Sequence, residues 1–371
     1  MQKERMDKWL LWLTITLVAF GFVVFFSASL GLLAKSGQAE FASVVFTQLV
    51  FGIIGGFIFM YTMSSIPYQF WRKYSLYFFV GSLFLTLMVF VPHIGFSHGG
   101  ATRWINLGPF TFQPSEFLKI SFVIYFATWA TNAKKHIQSL KYGVLPLGVM
   151  LGVTGLILLK EPDTDALMII TSAAIGMFIV AGGRWKHFIG IFVTGLLLGV
   201  FLFFSVGYIH NRVIVFFHPQ TEIYGAGYQV HQAMIAIGSG KIFGRGLGQG
   251  VQKFTYLPEA IGDSVFAVLG EELGFLGGLF LIGLFVAFAA RGFIIANRAK
   301  DQFGRLLAVG IVIIIVAQAY LNISSMLGIF PLSGLPLTFV SHGGSALLIA
   351  LGMVGILLNV SRTAKKTPLT R

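Results

Sequence analysis

Ten stretches of this chain are apolar for long enough to cross a lipid bilayer, and that repeated length limits the fold more than any motif does. A hydrocarbon core about 30 Å thick takes roughly 17 to 25 apolar residues as a helix, and lipid-exposed backbone bonds itself only as a helix or a closed barrel. The runs are Trp9 to Ser29, Val44 to Ser64, Tyr74 to Val91, Phe112 to Thr131, Tyr142 to Leu159, Ala166 to Ala181, His187 to Gly207, Ser264 to Ala290, Arg305 to Gly328 and His342 to Ser361. With 56% hydrophobic and 11% charged residues, too little polar side chain is left to cover a soluble domain. No small-residue cleavage signature follows the first run, which is therefore expected to stay as the first helix. The expected fold is an all-α membrane protein, a polytopic bundle of about ten transmembrane helices forming one domain over residues 1–371. A large extracytoplasmic loop, residues 208–263, is expected between helices 7 and 8.

The net charge of +13 would suit a nucleic-acid partner, but the placement of the charge points to the membrane instead. With the N-terminus inside, 18 of the 26 Lys and Arg fall in cytoplasmic pieces, among them Lys3, Arg5, Lys134, Lys135, Arg184, Lys186, Arg298, Lys365, Lys366 and Arg371. That is the positive-inside pattern, so both termini are expected to be cytoplasmic and no nucleic acid is expected to bind. The acids run the other way: of 13, only Glu4, Asp7 and Asp301 lie on the cytoplasmic side. Acids do little to set topology, so their pooling asks for a polar site open to the outside. The chain has no Cys, which excludes disulfides, thiolate metal ligands and a cysteine nucleophile.

The densest acidic cluster closes the long loop, where Tyr256-Leu257-Pro258-Glu259-Ala260-Ile261-Gly262-Asp263 is soon followed by Glu271-Glu272. A carboxylate at the edge of hydrocarbon is costly unless paired or facing water, and so marks a functional site by default; Asp263 is the expected centre. Three further polar groups break the apolar pattern on the same side. Arg103-Trp104-Ile105 leads to Gln113-Pro114-Ser115-Glu116, with Lys119 three residues on. Pro114 suits a first helical turn, while Glu116 and Lys119 share one helix face, either as a structural ion pair or as part of the site. Lys160-Glu161-Pro162-Asp163-Thr164-Asp165 joins two spans, where either Asp could cap the next helix. Asn322 to Ser325, Pro331, Gly334, Pro336 and Ser341-His342-Gly343-Gly344-Ser345 have the Pro and Gly density of a re-entrant or broken segment, tolerated only where it is buried in protein or lines water.

Read together and in order, these motifs resemble the SEDS family, FtsW/RodA/SpoVE. The resemblance rests on Arg103-Trp104-Ile105 with Gln113-Pro114-Ser115-Glu116, Glu161-Pro162-Asp163, Gly227-Tyr228-Gln229, Ala236-Ile237-Gly238-Ser239-Gly240, Gln252-Lys253 with Tyr256-Leu257-Pro258-Glu259-Ala260, Gly270-Glu271-Glu272, and Gly334-Leu335-Pro336-Leu337 with Gly343-Gly344-Ser345. It covers essentially the whole chain. The wording from Gln252 to Glu259 is nearer the division branch than the elongation branch. There are departures: Ile261-Gly262-Asp263-Ser264 stands for the family's His-Thr-Asp-Phe, Ser341-His342-Gly343-Gly344 for Ser-Tyr-Gly-Gly, and Pro162-Asp163-Thr164-Asp165-Ala166 for Pro-Asp-x-Gly-Thr.

The resemblance implies a peptidoglycan glycosyltransferase that polymerises lipid II on the outer face of the bacterial cytoplasmic membrane. Its implied partners are a class B penicillin-binding protein and other divisome or elongasome membrane proteins. The family's essential aspartate matches Asp263, and its other functional positions match Arg103, Glu116, Lys119 and Asp163; Gln252, Lys253 and Glu259 complete the expected substrate-binding set. In that reading Asp263 is the general base for a sugar hydroxyl, and Arg103 with Lys119 holds pyrophosphate. Glu116 and Asp163 orient Lys119 or coordinate a divalent cation, although no sequence feature fixes a metal. A flippase for the lipid-linked precursor would use the same cavity without bond formation, but it would want polar residues through the whole membrane depth.

Overall fold

The computed structural model describes residues 6–98, 101–106, 111–134, 136–218 and 225–363. Lys3, Glu4, Arg5, Lys135, Lys365, Lys366 and Arg371, counted above for topology, lie outside them. Each apolar run forms helix, as backbone without access to water must. In chain order the helices are α1 (Lys8–Lys35), α2 (Gln38–Thr47), α3 (Gly55–Ser65), α4 (Tyr68–Leu87), α5 (Pro114–Asn132), α6 (Leu145–Lys160) and α7 (Thr164–Val180). There follow α8 (Trp185–Ser205), α9 (Gly207–Phe217), α10 (Ala226–Gly240), the one-turn α11 (Gln252–Thr255), α12 (Val265–Arg298), α13 (Gln302–Met326) and α14 (Gly344–Arg362). Among the described residues eight helical stretches are long and apolar enough to cross a membrane, with α2 and α3 counting as one. The other two expected spans correspond to α5, whose start carries Glu116 and Lys119, and to the 17-residue α7.

Helix α13 is hydrophobic all round, as a central post should be, and 72% of its apolar window is buried. It packs against α12, α7 and α5; α14 lies along α3, α4 along α5, and α1 and α10 against α12. Helix α8 is the opposite case, with no residue of that window buried. Between α2 and α3 the chain runs through a π-helical segment, Gln48–Ile54. The extra residue of such a turn re-aims side chains, and here Gln48 is buried, with its amide on Ser341 O (3.2 Å) and Gly343 N (3.3 Å).

Two segments between apolar helices are more ordered than their sequences announce. The connection before α5 folds into a three-stranded antiparallel sheet of β1 (Gly95–His98), β2 (Ala101–Asn106) and β3 (Thr111–Phe112). Alternation along β2 puts residues 103 and 105 on one face, and both Arg103 and Ile105 are buried. The long segment expected as a loop over 208–263 contains α9, α10 and α11, because α10 has a small-residue face, buried Ala233 and Ala236, that packs on α12. Where α12 breaks at Gly274 (φ 64°), the turn after α10 serves the exposed backbone: Phe275 N donates to Lys241 O (2.9 Å) and Leu276 N to Ile242 O (3.1 Å). Arg245 N and Gly246 N donate to Glu271 O and Glu272 O, both at 3.0 Å.

Residues 327–343 between α13 and α14 form the irregular buried segment expected from their Pro and Gly density. Ser333, Leu335, Leu337, Phe339 and Val340 are all buried. Helix α1 meets it at Gly21, where an added Cβ would lie 2.2 Å from Phe339 O.

The contact of α10 with α12 makes a sharp contrast between two glycines of one motif. A Cβ at Gly240 would lie 1.9 Å from Gly270 O, whereas at Gly238 it meets nothing within 4 Å. Gly240→Ala should lower thermal stability in detergent by about 1–3 kcal/mol, whereas Gly238→Ala should be neutral or stabilising by up to about 1 kcal/mol. Equal melting temperatures for the two variants would remove this packing account.

Candidate functional site

The turn that presents Asp263 is held from three sides. Glu259 sits at φ 46°, and its carbonyl accepts from Gly262 N (3.0 Å) and Ser264 N (3.1 Å), closing the chain tightly ahead of α12. Asn322 of α13 donates from Nδ2 to both Asp263 O and Leu335 O, each at 2.8 Å, tying the turn to the buried 327–343 segment. From that segment Ser341 Oγ donates to Gly262 O (2.6 Å) and His342 N to Ile261 O (2.8 Å). From α10, Gln229 Nε2 donates to Ser264 Oγ (3.0 Å). The main chain of Asp263 is fixed, while its side chain stays partly exposed. Burial, then the neighbouring Glu259 and Asp165 carboxylates, push Asp263 up to about 7 against the opposing Arg103 and Arg212. A carboxyl tuned to neutrality is suited to accept a proton.

Arg103 reaches this place from β2. Its Nε donates to Glu161 O (3.3 Å) and its Nη2 to Pro162 O, so both bonds end on neutral carbonyls. A Cβ added to Gly334 would lie 3.7 Å from Arg103 Nη1 and 3.7 Å from Asp263 Oδ2, which puts the guanidinium and the carboxyl within reach of the same point beside that glycine. The Glu161 side chain is buried, with both carboxyl oxygens lacking a hydrogen-bond partner among the described residues. Burial first, then Asp163, push Glu161 up to about 9 despite Arg103. It is therefore neutral at pH 7 and leaves the charge of Arg103 unquenched.

Asp163 serves as the N-cap of α7, accepting from Ala166 N (3.1 Å), and also takes Ser115 Oγ (2.9 Å) and Gln113 Nε2 (3.3 Å). It locks the start of α5 to the start of α7. Asp165 pairs with Arg212 of α9, whose Nη1 lies 3.0 Å from each carboxylate oxygen, and its Oδ2 also accepts from Gly334 N (3.3 Å). One helical turn into α5, Lys119 Nζ is bound by Glu116 (2.8 Å) and Gln318 Oε1 (2.6 Å), and Gln318 passes the tie on to Pro336 O (3.1 Å). Beside them is a void of about 10 Å3, lined by Glu116, Gln318, Pro336 and Ser341 and large enough for one water.

Of the residues singled out in the sequence, the structure brings Arg103, Asp163, Glu259 and Asp263 to one cluster, with the Glu116–Lys119 pair beneath it. Gln252 and Lys253 stand in a separate buried network. Lys253 Nζ lies 2.5 Å from Glu272 Oε1 and 3.1 Å from Ser27 Oγ of α1, while Glu271 accepts from Val251 N (2.9 Å) and Gln252 N (3.1 Å). Glu272 also takes Gly248 N (3.0 Å), so these carboxylates receive the end of the long segment. Among the described residues no group of three or more His, Asp or Glu is arranged to hold a metal. Glu116 and Asp163 are occupied by protein donors, which fits orientation of Lys119 and α7 rather than cation binding. Sequence reasoning singled out Asn322 only as part of the broken segment before α14, and passed over Arg212, which reads as one basic residue of the long segment.

A family model described as "Cell cycle protein" and named for FtsW, RodA and SpoVE matches residues 8–366. A protein called probable peptidoglycan glycosyltransferase FtsW from Trichlorobacter lovleyi is 40% identical over 98% of this chain and 95% of its own. Stage V sporulation protein E of Bacillus subtilis is 37% identical over 98% and 99%. Among solved structures, a chain from a peptidoglycan synthase complex aligns with a TM-score of 0.79 at 24% identity, covering 96% of this chain and 98% of that one. The rod shape determining protein RodA of Thermus thermophilus aligns at 0.70 with 22% identity over 98% of both.

The buried Lys253–Glu272 pair lends itself to a double-mutant cycle. Removing one partner strands a charge, so Lys253→Met or Glu272→Gln alone should cost about 3–5 kcal/mol, and the double variant should recover much of it. Additive losses in detergent unfolding would mean the two side chains do not act as a pair.

Proposed function

Because this chain belongs to the FtsW/RodA/SpoVE family of cell cycle proteins, we propose that it is a peptidoglycan glycosyltransferase of cell-wall synthesis, a multi-pass membrane enzyme that polymerises lipid II. Its place is the outer face of the bacterial cytoplasmic membrane, with both termini inside and a class B penicillin-binding protein as partner. The observation that most supports this reading is the placement of Arg103 and Asp263 together beside Gly334: a cation bonded to neutral carbonyls near a carboxyl raised to about 7.

The chemistry follows from those two groups. The hydroxyl oxygen of one saccharide forms a bond to the anomeric carbon of the other, the bond from that carbon to the pyrophosphate oxygen breaks, and the electron pair leaves with the pyrophosphate. Asp263 takes the hydroxyl proton, a role typically worth about 10²- to 10⁴-fold. Arg103 meets the charge growing on the leaving group through charge-assisted hydrogen bonds. Direct displacement inverts the anomeric carbon and needs no covalent glycosyl-enzyme. Lys119, held by Glu116 and Gln318, sets the field beneath the cleft and braces the 327–343 segment that carries Gly334. Below it α5 and α13 pack Phe122, Val123, Phe126, Ile311, Val312 and Ile314 against one another, all buried, where a flippase would need a wetter path.

Purified protein with its penicillin-binding partner should polymerise labelled lipid II, and Asp263→Asn should cut the rate at least about 100-fold. A base acts as carboxylate, so the rate should rise with pH and level off above about 7; a rate that falls across that range, or an active Asp263→Asn, would refute the assignment. A reporter inserted between Arg212 and Lys253 should read as extracytoplasmic, and a cytoplasmic signal would overturn the orientation.

A further inference from the structure

A pyrophosphate leaving group carries more charge than Arg103 alone can answer, and the other cations expected to help are already committed. Lys119 is fully buried on Glu116 and Gln318, and Lys253 on Glu272 and Ser27. Arg212 is differently placed. Its side chain keeps 25% of its surface, its charge acts on Asp263 along with that of Arg103, and its bonds to described residues all leave from Nη1, to Asp165 (3.0 Å twice) and Thr164 Oγ1 (3.2 Å). Asp165 in turn accepts from Gly334 N, the residue beside which Arg103 and Asp263 both lie.

We propose that Arg212 is a second anion-binding residue of this site, held in place by Asp165 and transferred to the diphosphate of the lipid-linked donor when it binds. The inference rests on the glycosyltransferase reading and deepens it. Guanidinium binds phosphate oxygens through the same planar, bidentate, charge-assisted hydrogen bonds that it makes to a carboxylate, so a diphosphate can take the place of Asp165 as its partner. Asp165 keeps a donor after the exchange, in Gly334 N. The arm that bears Arg212 is lightly packed on the rest of the protein: α8 buries none of its residues and α9 only Val215.

The two halves of that pair make opposite predictions. Above pH 8, where Asp263 is already ionised in the parent protein, R212Q should raise the KM for lipid II about tenfold or more with a smaller change in kcat, and R212K should fall between. D165N, which frees the guanidinium, should lower the KM or leave it unchanged. In detergent, farnesyl pyrophosphate should raise the melting temperature of the parent protein and of D165N but not of R212Q; inorganic pyrophosphate as a second probe separates recognition of the diphosphate from that of the lipid tail. A parental KM in R212Q, or equal losses of KM and stability in R212Q and D165N, overturns the proposal. If R212Q does not fold, D165N decides: a weakened response to farnesyl pyrophosphate overturns the proposal and a retained or stronger one supports it. A parent protein that binds farnesyl pyrophosphate through Arg212 yet makes no polymer would sink the glycosyltransferase reading and leave the anion site standing.

Discussion

An ionised side chain among apolar helices costs several kcal/mol unless another group answers it, and the architecture of this protein is largely the set of answers. Lys119 is met by Glu116 and Gln318, Asp163 by Ser115, Gln113 and the start of α7, and Lys253 by Glu272 and Ser27. Each answer crosses between elements, so satisfying a charge also fixes a helix. The contrast is the Arg103, Glu161 and Asp263 group. There a guanidinium rests on neutral carbonyls, one acid is held neutral by burial and another is raised to about 7. A site that spends its charge on substrate must leave it unspent in the resting protein.

The irregular segment 327–343 makes this possible. No helix could bring Asp263, Asp165, Gln48 and Gln318 to one run of backbone, but an extended chain within the bundle does, through Gly334, Leu335, Pro336 and Ser341. Such backbone is tolerated at membrane depth only because its polar groups find partners. A Cβ on Gly334 would touch both the Arg103 guanidinium and the Asp263 carboxyl, and Asn322 pins the segment to the turn that carries Asp263.

Much of this was legible in the sequence. Apolar length alone located the membrane helices, of which eight stretches among the described residues are long and apolar enough to span, and Asp263 was conspicuous as an acid next to an apolar run. The capping reading of Asp163 and the ion-pair reading of Glu116 with Lys119 followed from local rules, and both contacts are present. What was not legible came from contacts between distant residues. Lys253 is six residues from Glu259 in sequence, yet its charge is taken up by Glu272 and Ser27 instead. The strand that turns Arg103 inward is too short to announce itself, and α10 reads as loop because its packing face is built of Ala and Gly rather than large apolar residues.

By itself the sequence determined the class of fold and the family, because hydropathy, length and motif order are properties of the chain taken a few residues at a time. Only the tertiary structure decided which charges are quenched and which stay available. That depends on what lies within about 3 Å of each group, and the partners that matter come from elements as far apart in the chain as β2, α9 and the segment before α14.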